Sequence, residues 1–420
     1  MKISRLFSFM FLIAMALPSC AATAVYAYGQ SAADSTGGCG GVCSTMATCG
    51  QCADCRPTLS CDSCTKNRCP TTAFYKGADI SWVTEMESRG DKFYDKNGNE
   101  LECTSLMKEL GLNAIRLRVW VNPKRGWSGK DDMIKIARRV KQNGMDLMVD
   151  FHYSDWWADP GQQHKPAAWR NLGIDELKKA LWQHTADVLS ALKAEGIEPK
   201  WVQVGNEIRP GMLWDENPEL SGASRDIREC DVKGTRHKDD KTVRYPMNWK
   251  NLAAFINTGY DAVKSVFPNT AVIVHLDNGY DKALYKWFFD TLKQNGGKWD
   301  MIGMSVYPYW TMEEHPEYTP EKTISDCIDN IKAVNGRYGC DVMVVETGME
   351  CADDQGRLAD DATLAKGRDL LKKLIDGCIN DTGGACKGVF YWEPECKPGQ
   401  YRLGAFTTDG RPTVIMDAFK

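Results

Sequence analysis

The sequence predicts an α/β protein: a (β/α)8 TIM barrel preceded by a small cysteine-rich N-terminal segment. Three observations carry that expectation. From residue 75 onward, short β-type runs alternate with longer helical patterns, and the runs number eight. The alternation calls for parallel strands joined by helical crossovers. No G-x-G-x-x-G follows the first run and no Walker A segment is present, which argues against a doubly wound nucleotide-binding sheet.

In chain order, the strand candidates are Tyr75 to Ser81, Asn113 to Trp120, Asp146 to Ser154, Lys200 to Ile208, Ala271 to Gly279, Asp300 to Pro308, Asp341 to Gly348 and Lys387 to Pro394. Each is a compact apolar run bounded by turn formers or a polar residue. Helical patterns are clearest at Asp131 to Asn143, Asp175 to Glu195, Asn248 to Phe267, Asp281 to Asn295, Pro320 to Tyr338 and Asp360 to Asn380. Several open on Asp or Asn, whose side chains satisfy the first backbone amides, and close near Gly or Pro. The longest insertion, Arg209 to Tyr245 after the fourth run, is polar and charged and reads as a surface loop over one rim. No fixed-period repeat is present, so a solenoid is not indicated.

The 420 residues carry 52 Lys+Arg against 56 Asp+Glu, a net charge of −4. That balance argues against intrinsic disorder, a multi-pass membrane protein and an electrostatic nucleic-acid binder. The 14 tryptophans exceed what a core of this size needs and suggest stacking surfaces.

Residues 1–20 combine Lys2 and Arg5 with an apolar stretch from Leu6 to Leu17, too short to span a bilayer and flanked as a signal peptide is. The stretch ends in Leu17-Pro18-Ser19-Cys20, similar to a bacterial lipobox with Cys20 as the lipidated residue; simple cleavage after Ala24 or Ala27 is the rival. The expected location is therefore extracellular or at the cell surface, with a lipid anchor as the only membrane contact. Removing Cys20 from 17 cysteines leaves 16, an even number suited to disulfides in an oxidising compartment. Eight of them, from Cys39 to Cys69, crowd a window with few large apolar residues. Residues 21–70 read as a linker and a stapled module, with zinc or an iron–sulfur cluster as the alternative staple, and residues 71–420 as the catalytic barrel.

In such a barrel the chemistry gathers at the carboxyl ends of the strands. Every apolar run here ends in polar residues: Asp79, Arg116 with Arg118, His152 with Asp155, Asn206 with Glu207, Asp277 with Asn278, Ser305 with Tyr307, Glu346, and Trp392 with Glu393. Glu207 and Glu346 end the fourth and seventh strands, which approach each other across a closed barrel. Alone, either would read as a salt-bridged strand end. Together they suit glycoside hydrolysis, in which one carboxyl protonates the departing oxygen and the other attacks the anomeric carbon or activates water.

The chain resembles the clan A glycoside hydrolases, and more narrowly the family 53 endo-β-1,4-galactanases. The segments that carry the resemblance are Lys76-Gly77-Ala78-Asp79-Ile80-Ser81, Asn113 to Trp120, Asp150 to Gln162, Val204-Gly205-Asn206-Glu207-Ile208, Gly303 to Trp310 and Val345-Glu346-Thr347-Gly348, within residues 73–420. The resemblance implies Glu207 as acid/base and Glu346 as nucleophile, with retention and therefore carboxyl groups about 5 to 5.5 Å apart. It implies that Arg116 and Tyr307 hold Glu346 ionised, that Asn206 holds the sugar 2-hydroxyl, and that Asp155 and Ser305 complete a polar substrate-binding set. Trp156, Trp310 and Trp392 are the candidates for stacking on galactose rings, each with loop packing as its rival role. His152 and His275 read as buried hydrogen-bonders that orient carboxylates.

No ligand spacing for a catalytic metal is present, and no cofactor is required. Asp353, Asp354, Asp360 and Asp361 offer oxygen ligands for a structural calcium, with a solvated acidic loop as the rival. Met349-Glu350-Cys351 stands where the family usually carries an aromatic, and Cys351, Cys378, Cys386 and Cys396 could brace that region with disulfides. The expected partner is a polysaccharide, β-1,4-galactan, acted on by a monomer. Hydrolysis of another β-1,4-glycan (xylan, mannan or glucan) and non-catalytic glycan capture by a surface lipoprotein stay open at this point.

Overall fold

The computed structural model describes residues 74–214 and 248–420. The expected signal segment with Cys20, the cysteine-rich module and most of the insertion after the fourth barrel strand, with Cys230, lie outside the described residues.

Ten strands are described: β1 (Tyr75–Asp79), β2 (Phe93–Tyr94), β3 (Glu100–Leu101), β4 (Ala114–Val119), β5 (Asp146–Phe151), β6 (Trp201–Val204), β7 (Ala271–Leu276), β8 (Met301–Val306), β9 (Asp341–Thr347) and β10 (Cys386–Trp392). Eight close into a parallel barrel in the order β1-β10-β9-β8-β7-β6-β5-β4, and β4 returns to β1. The expected (β/α)8 barrel is present. β2 and β3 form a separate antiparallel pair after the first strand, too short to leave a periodic signal.

All six expected helices form, with boundaries within a residue of those read from the sequence. Their caps explain the agreement. Asp281 accepts hydrogen bonds from the amides of Ala283 and Leu284, Asp360 from Thr363, and Asn248 from Asn251, while left-handed Gly339 closes the helix Pro320–Tyr338. The short helices Val83–Ser88, Cys103–Glu109 and Pro308–Glu314 were not anticipated.

Several strands stop earlier than their apolar runs. The run to Ile208 yields a strand ending at Val204, and those to Ser154 and Gly279 end at Phe151 and Leu276. Just beyond these ends the backbone turns left-handed, at Gly205 (φ 86°), Glu207 (φ 48°), Tyr153 (φ 51°) and Asn278 (φ 51°). Positive φ breaks the ladder and turns the following side chain over the barrel mouth.

Strand alternation sorts side chains into two populations. Ile115, Leu117, Val149, Val202 and Val274 belong to the large core cluster that also contains the helix residues. Ala114, Met148, Trp201, Ile273, Met301, Met343, Val345 and Phe390 form a separate cluster inside the barrel. This inner layer is an apolar floor, and Trp201 with Tyr75 and Phe390 spends aromatic surface on it rather than on ligand. One step further along the strands, the inward positions become Asp79, Arg116, Asp150, Gln203 and His275, all fully buried.

Among the described residues, seven cysteines carry free thiols, so the expected disulfides among Cys351, Cys378, Cys386 and Cys396 are absent. All but Cys340 are buried, and Cys103, Cys327, Cys378 and Cys386 act as small apolar side chains in packed helices and strands, while Cys351 and Cys396 lie in segments between them.

The floor generates a stability prediction. A Cβ added at Gly77 would lie 2.3 Å from the Phe390 ring, which has no free space to move into. Gly77→Ala should destabilise the fold by about 1–3 kcal/mol, read as a lowered melting temperature. An unchanged melting temperature would mean that the floor is loosely packed.

Candidate active site

The polar layer is organised by Arg116, whose side chain is 1% exposed. Its Nε donates to Gln203 Oε1 at 2.7 Å and its Nη1 to Asp79 Oδ2 at 2.8 Å. Nη2 faces Asp150 Oδ2 at 2.9 Å, Asn206 Oδ1 at 2.9 Å and Glu346 Oε1 at 2.8 Å. One guanidinium therefore links β1, β5, β6 and β9. Burial opposes ionisation of Asp150, but Arg116 and then His152 outweigh it and hold its pKa below the usual value.

Two histidines complete the layer. His152 Nδ1 accepts from the Trp120 indole and the Ala158 amide, each at 3.2 Å, so the ring proton is on Nε2, 2.9 Å from Asp150 Oδ2. His275 Nδ1 lies 2.9 Å from Asn206 Oδ1 and 3.0 Å from Gln203 Nε2, and its Nε2 lies 2.8 Å from Ser305 Oγ. Burial, then the Arg116 charge, pushes His275 well below its ordinary pKa, leaving it a neutral relay. Both histidines have the orienting role read from the sequence.

Glu207 and Glu346 converge on this frame. Ser305 on β8 lies opposite Glu346 in the β8–β9 register, and its hydroxyl donates to Glu207 Oε1 at 2.6 Å. Ser305 thus binds the Glu207 carboxyl directly and neighbours Glu346 through the strand register. Glu346 takes the Tyr307 hydroxyl on Oε2 at 2.9 Å and Arg116 on Oε1. Glu207 has no cation among its influences: burial, then the Glu346 charge, then Asp277 raise its pKa well above the usual carboxylate range. Burial also raises Glu346, to about 7, but Arg116 and Tyr307 work against the rise. The pair therefore holds its first proton on Glu207 and carries negative charge on Glu346.

That asymmetry, one protonated and one ionised carboxyl at the mouth of an eight-stranded barrel, is the equipment for cleaving a glycosidic bond. The sequence model of glycosyl hydrolase family 53 matches residues 75–410. The chain belongs to glycosyl hydrolase family 53. It is similar to a probable arabinogalactan endo-β-1,4-galactanase A of Neosartorya fischeri, 31% identical over 76% of this chain and 83% of the relative. An endo-β-1,4-galactanase of Bacillus subtilis is 30% identical over 77% and 71% of the two chains. Among solved structures, a fungal β-1,4-galactanase superposes with a TM-score of 0.68 at 28% identity, covering 83% of this chain and 99% of its own. This family 53 chain is accordingly a glycoside hydrolase.

The other expected site residues divide by what they touch. Asn206 is buried, with Oδ1 toward Arg116 and Nδ2 donating to Ala158 O at 2.8 Å. Ser305 serves Glu207 and His275. Asp155 has both oxygens occupied, by the amides of Asn122 and Ala167 at 2.9 and 2.8 Å, and so braces two loops. Trp156 is 59% exposed, Trp310 packs edge-on to Tyr309, and Trp392 is half-buried between Trp82 and Tyr401. Asp353 and Asp360 are occupied by turn and cap amides and Asp354 by Arg402, so these acids do not converge as calcium ligands.

Sequence reasoning did not single out Asp150 or Gln203, both essential to the seating of Arg116. A carboxylate and an amide at inward positions of buried strands were the available signal. It also missed the role of Arg118, whose guanidinium carbon lies 5.2, 5.4 and 4.5 Å from the Trp82, Trp120 and Trp157 rings while it pairs with Glu393.

The hydrogen bonds to the two glutamates predict upward displacements of opposite limbs of the pH profile of kcat/KM, narrowing it in one variant and widening it in the other. The Tyr307 hydroxyl favours ionised Glu346, so Tyr307→Phe raises that pKa and moves the acid limb to higher pH. The Ser305 hydroxyl lowers the Glu207 pKa, so Ser305→Ala moves the alkaline limb upward. Limbs that stay in place in both variants would reject the assignment of these contacts.

Proposed function

We propose that this hydrolase cuts internal β-1,4-galactosidic bonds of type I (arabino)galactan in pectin, with net retention, using Glu207 as acid/base and Glu346 as nucleophile. The observation that carries the reading is the unequal setting of the two glutamates: the pKa of Glu207 is raised by burial and by the Glu346 charge, while Glu346 is paired with Arg116. Retention calls for carboxyl groups about 5 to 5.5 Å apart, against roughly 6.5–9.5 Å where a water is admitted. The galactanase activity for which the relatives are named favours galactan as substrate.

In the first step Glu346 attacks the anomeric carbon as Glu207 gives its proton to the departing oxygen, so one C–O bond forms as another breaks. Esterification removes the Glu346 charge, which had raised the Glu207 pKa, and Glu207, now ionised, can take a proton from water. Water then attacks the same carbon, the sugar leaves with its original configuration, and Glu346 is free again. Asn206 keeps one amide hydrogen beyond its bond to Ala158, available to the sugar 2-hydroxyl. Trp156, Trp310 and Trp392 offer flat faces to the apolar sides of galactose units. No cofactor enters the sequence of steps. The chain acts as an exported monomer, lipid-anchored through Cys20 at the cell surface; acyl labelling lost in Cys20→Ser tests the anchor.

Two measurements test the catalytic reading. Digestion of unbranched β-1,4-galactan should yield a ladder of oligomers with newly formed ends in the β configuration by NMR; cleavage confined to xylan or mannan would reject it. Glu207→Ala should lower kcat on galactan by about a hundred- to ten-thousand-fold while sparing substrates with good leaving groups, and Glu346→Ala should remove turnover on both. Equal losses on both substrates in Glu207→Ala would place the acid elsewhere.

A further inference from the structure

Beyond the end of β10 lies a second group of acidic side chains that the cleavage chemistry does not use. Glu393 has left-handed backbone (φ 47°), and a turn closed by the Cys396 amide on the Glu393 carbonyl at 3.2 Å follows it. The turn folds Glu393, Glu395 and Cys396 onto one point: a carboxylate oxygen of each glutamate and the Cys396 sulfur all lie within 4.8 Å of one another. All three residues are 0% exposed.

Their surroundings are unequal. Glu393 accepts from Trp82 N on Oε2 and pairs with Arg118 on Oε1. Neither oxygen of Glu395 makes a hydrogen bond of sound geometry, and the polar group facing it is the Glu393 carboxyl. Two ionised carboxylates so placed repel, and a cation or a shared proton between them resolves the contact. A shared proton would suffice for two carboxylates, but it gives no reason for a sulfur to converge on the same point.

We propose that Glu393, Glu395 and Cys396 bind a divalent metal ion of borderline softness, for which zinc is the best match. Two carboxylates and a thiolate bring three negative charges, Arg118 contributes one positive, and a divalent ion brings the buried group to neutrality. The thiolate selects against calcium and magnesium, which take oxygen ligands, and favours zinc. Each Glu393 oxygen has a second lone-pair direction, so ligation does not require the loss of Trp82 or Arg118. The ion would tie the loop after β10 to the Arg118 guanidinium and so fix the base on which Trp392 stands. Binding would displace to solvent both the thiol proton and the proton held between the two carboxyl groups, with no change of oxidation state.

The test uses the full-length chain purified without added metal. Because the cysteines before residue 70 can also take up metal, the readout is the difference between the unmodified protein and Glu395→Gln or Cys396→Ser. The expected result is one fewer equivalent of zinc in each variant and a melting temperature that a strong chelator lowers only in the unmodified chain. After cobalt exchange, the thiolate-to-cobalt absorption should weaken in Cys396→Ser and stay intact in Cys340→Ser. Equal metal content in the unmodified chain and Glu395→Gln, with chelator-insensitive melting in both, would overturn the proposal and leave the two carboxylates sharing a proton. Should Cys396→Ser fail to fold, Glu395→Gln and the chelator measurement decide the question.

Discussion

Placing a guanidinium inside a barrel is costly, and the rest of the site follows from how that cost is met. Arg116 has left water completely, so every hydrogen it carries must find an acceptor and its charge must find carboxylates. Asp79, Asp150, Gln203, Asn206 and Glu346 meet that need from strands on different sides of the barrel. A buried pair of this kind adds little to stability relative to packed hydrocarbon. What it adds is position: a side chain held from several directions cannot rotate, and a carboxylate bonded to it cannot drift. The apolar floor below supports the arrangement by keeping water from competing for these contacts.

The same charge sets the roles of the two glutamates. Burial raises the pKa of both, yet among the described residues it is Glu346 that is paired with a cation. Glu207 instead meets the negative field of Glu346 and Asp277. Identical side chains thereby acquire different protonation states from their neighbours alone, as general acid and nucleophile must. Ser305 and Tyr307 refine that difference with one hydroxyl each, and His275, kept neutral, orients Ser305 without adding charge.

Much of this was legible in the sequence, for a physical reason. Period-two apolar runs and capped amphipathic helices are local signals, so the eight barrel strands and six long helices could be read from their own residues. Glu207 and Glu346 drew attention because each ends an apolar run, although Glu346 lies within β9 and Glu207 beyond the end of β6. Strand ends were overestimated where left-handed residues such as Tyr153, Glu207 and Asn278 interrupt a still-apolar run, since nothing in a non-glycine residue announces positive φ. Asp150 and Gln203 were overlooked because their meaning lies in a partner on another strand. The surplus tryptophan suggested ligand stacking, and part of it proved to be packing: Trp201 fills the floor, while Trp82, Trp120 and Trp157 cage Arg118. The cysteines pointed to disulfides, and among the described residues they are free thiols, all but Cys340 buried, because counting sulfur says nothing about the distance between atoms.

The left-handed residues at the strand ends also bear on how such a molecule can diversify. Each marks an abrupt corner between a rigid staves-and-hoops body and the segment that leaves it. A stretch added or removed farther out, past the backbone bonds that Ile208 makes to His275 and Cys396 to Glu393, transmits little torque to the staves beneath. The mouth can therefore be remodelled for longer, branched or differently decorated polymers while the cutting geometry stays fixed.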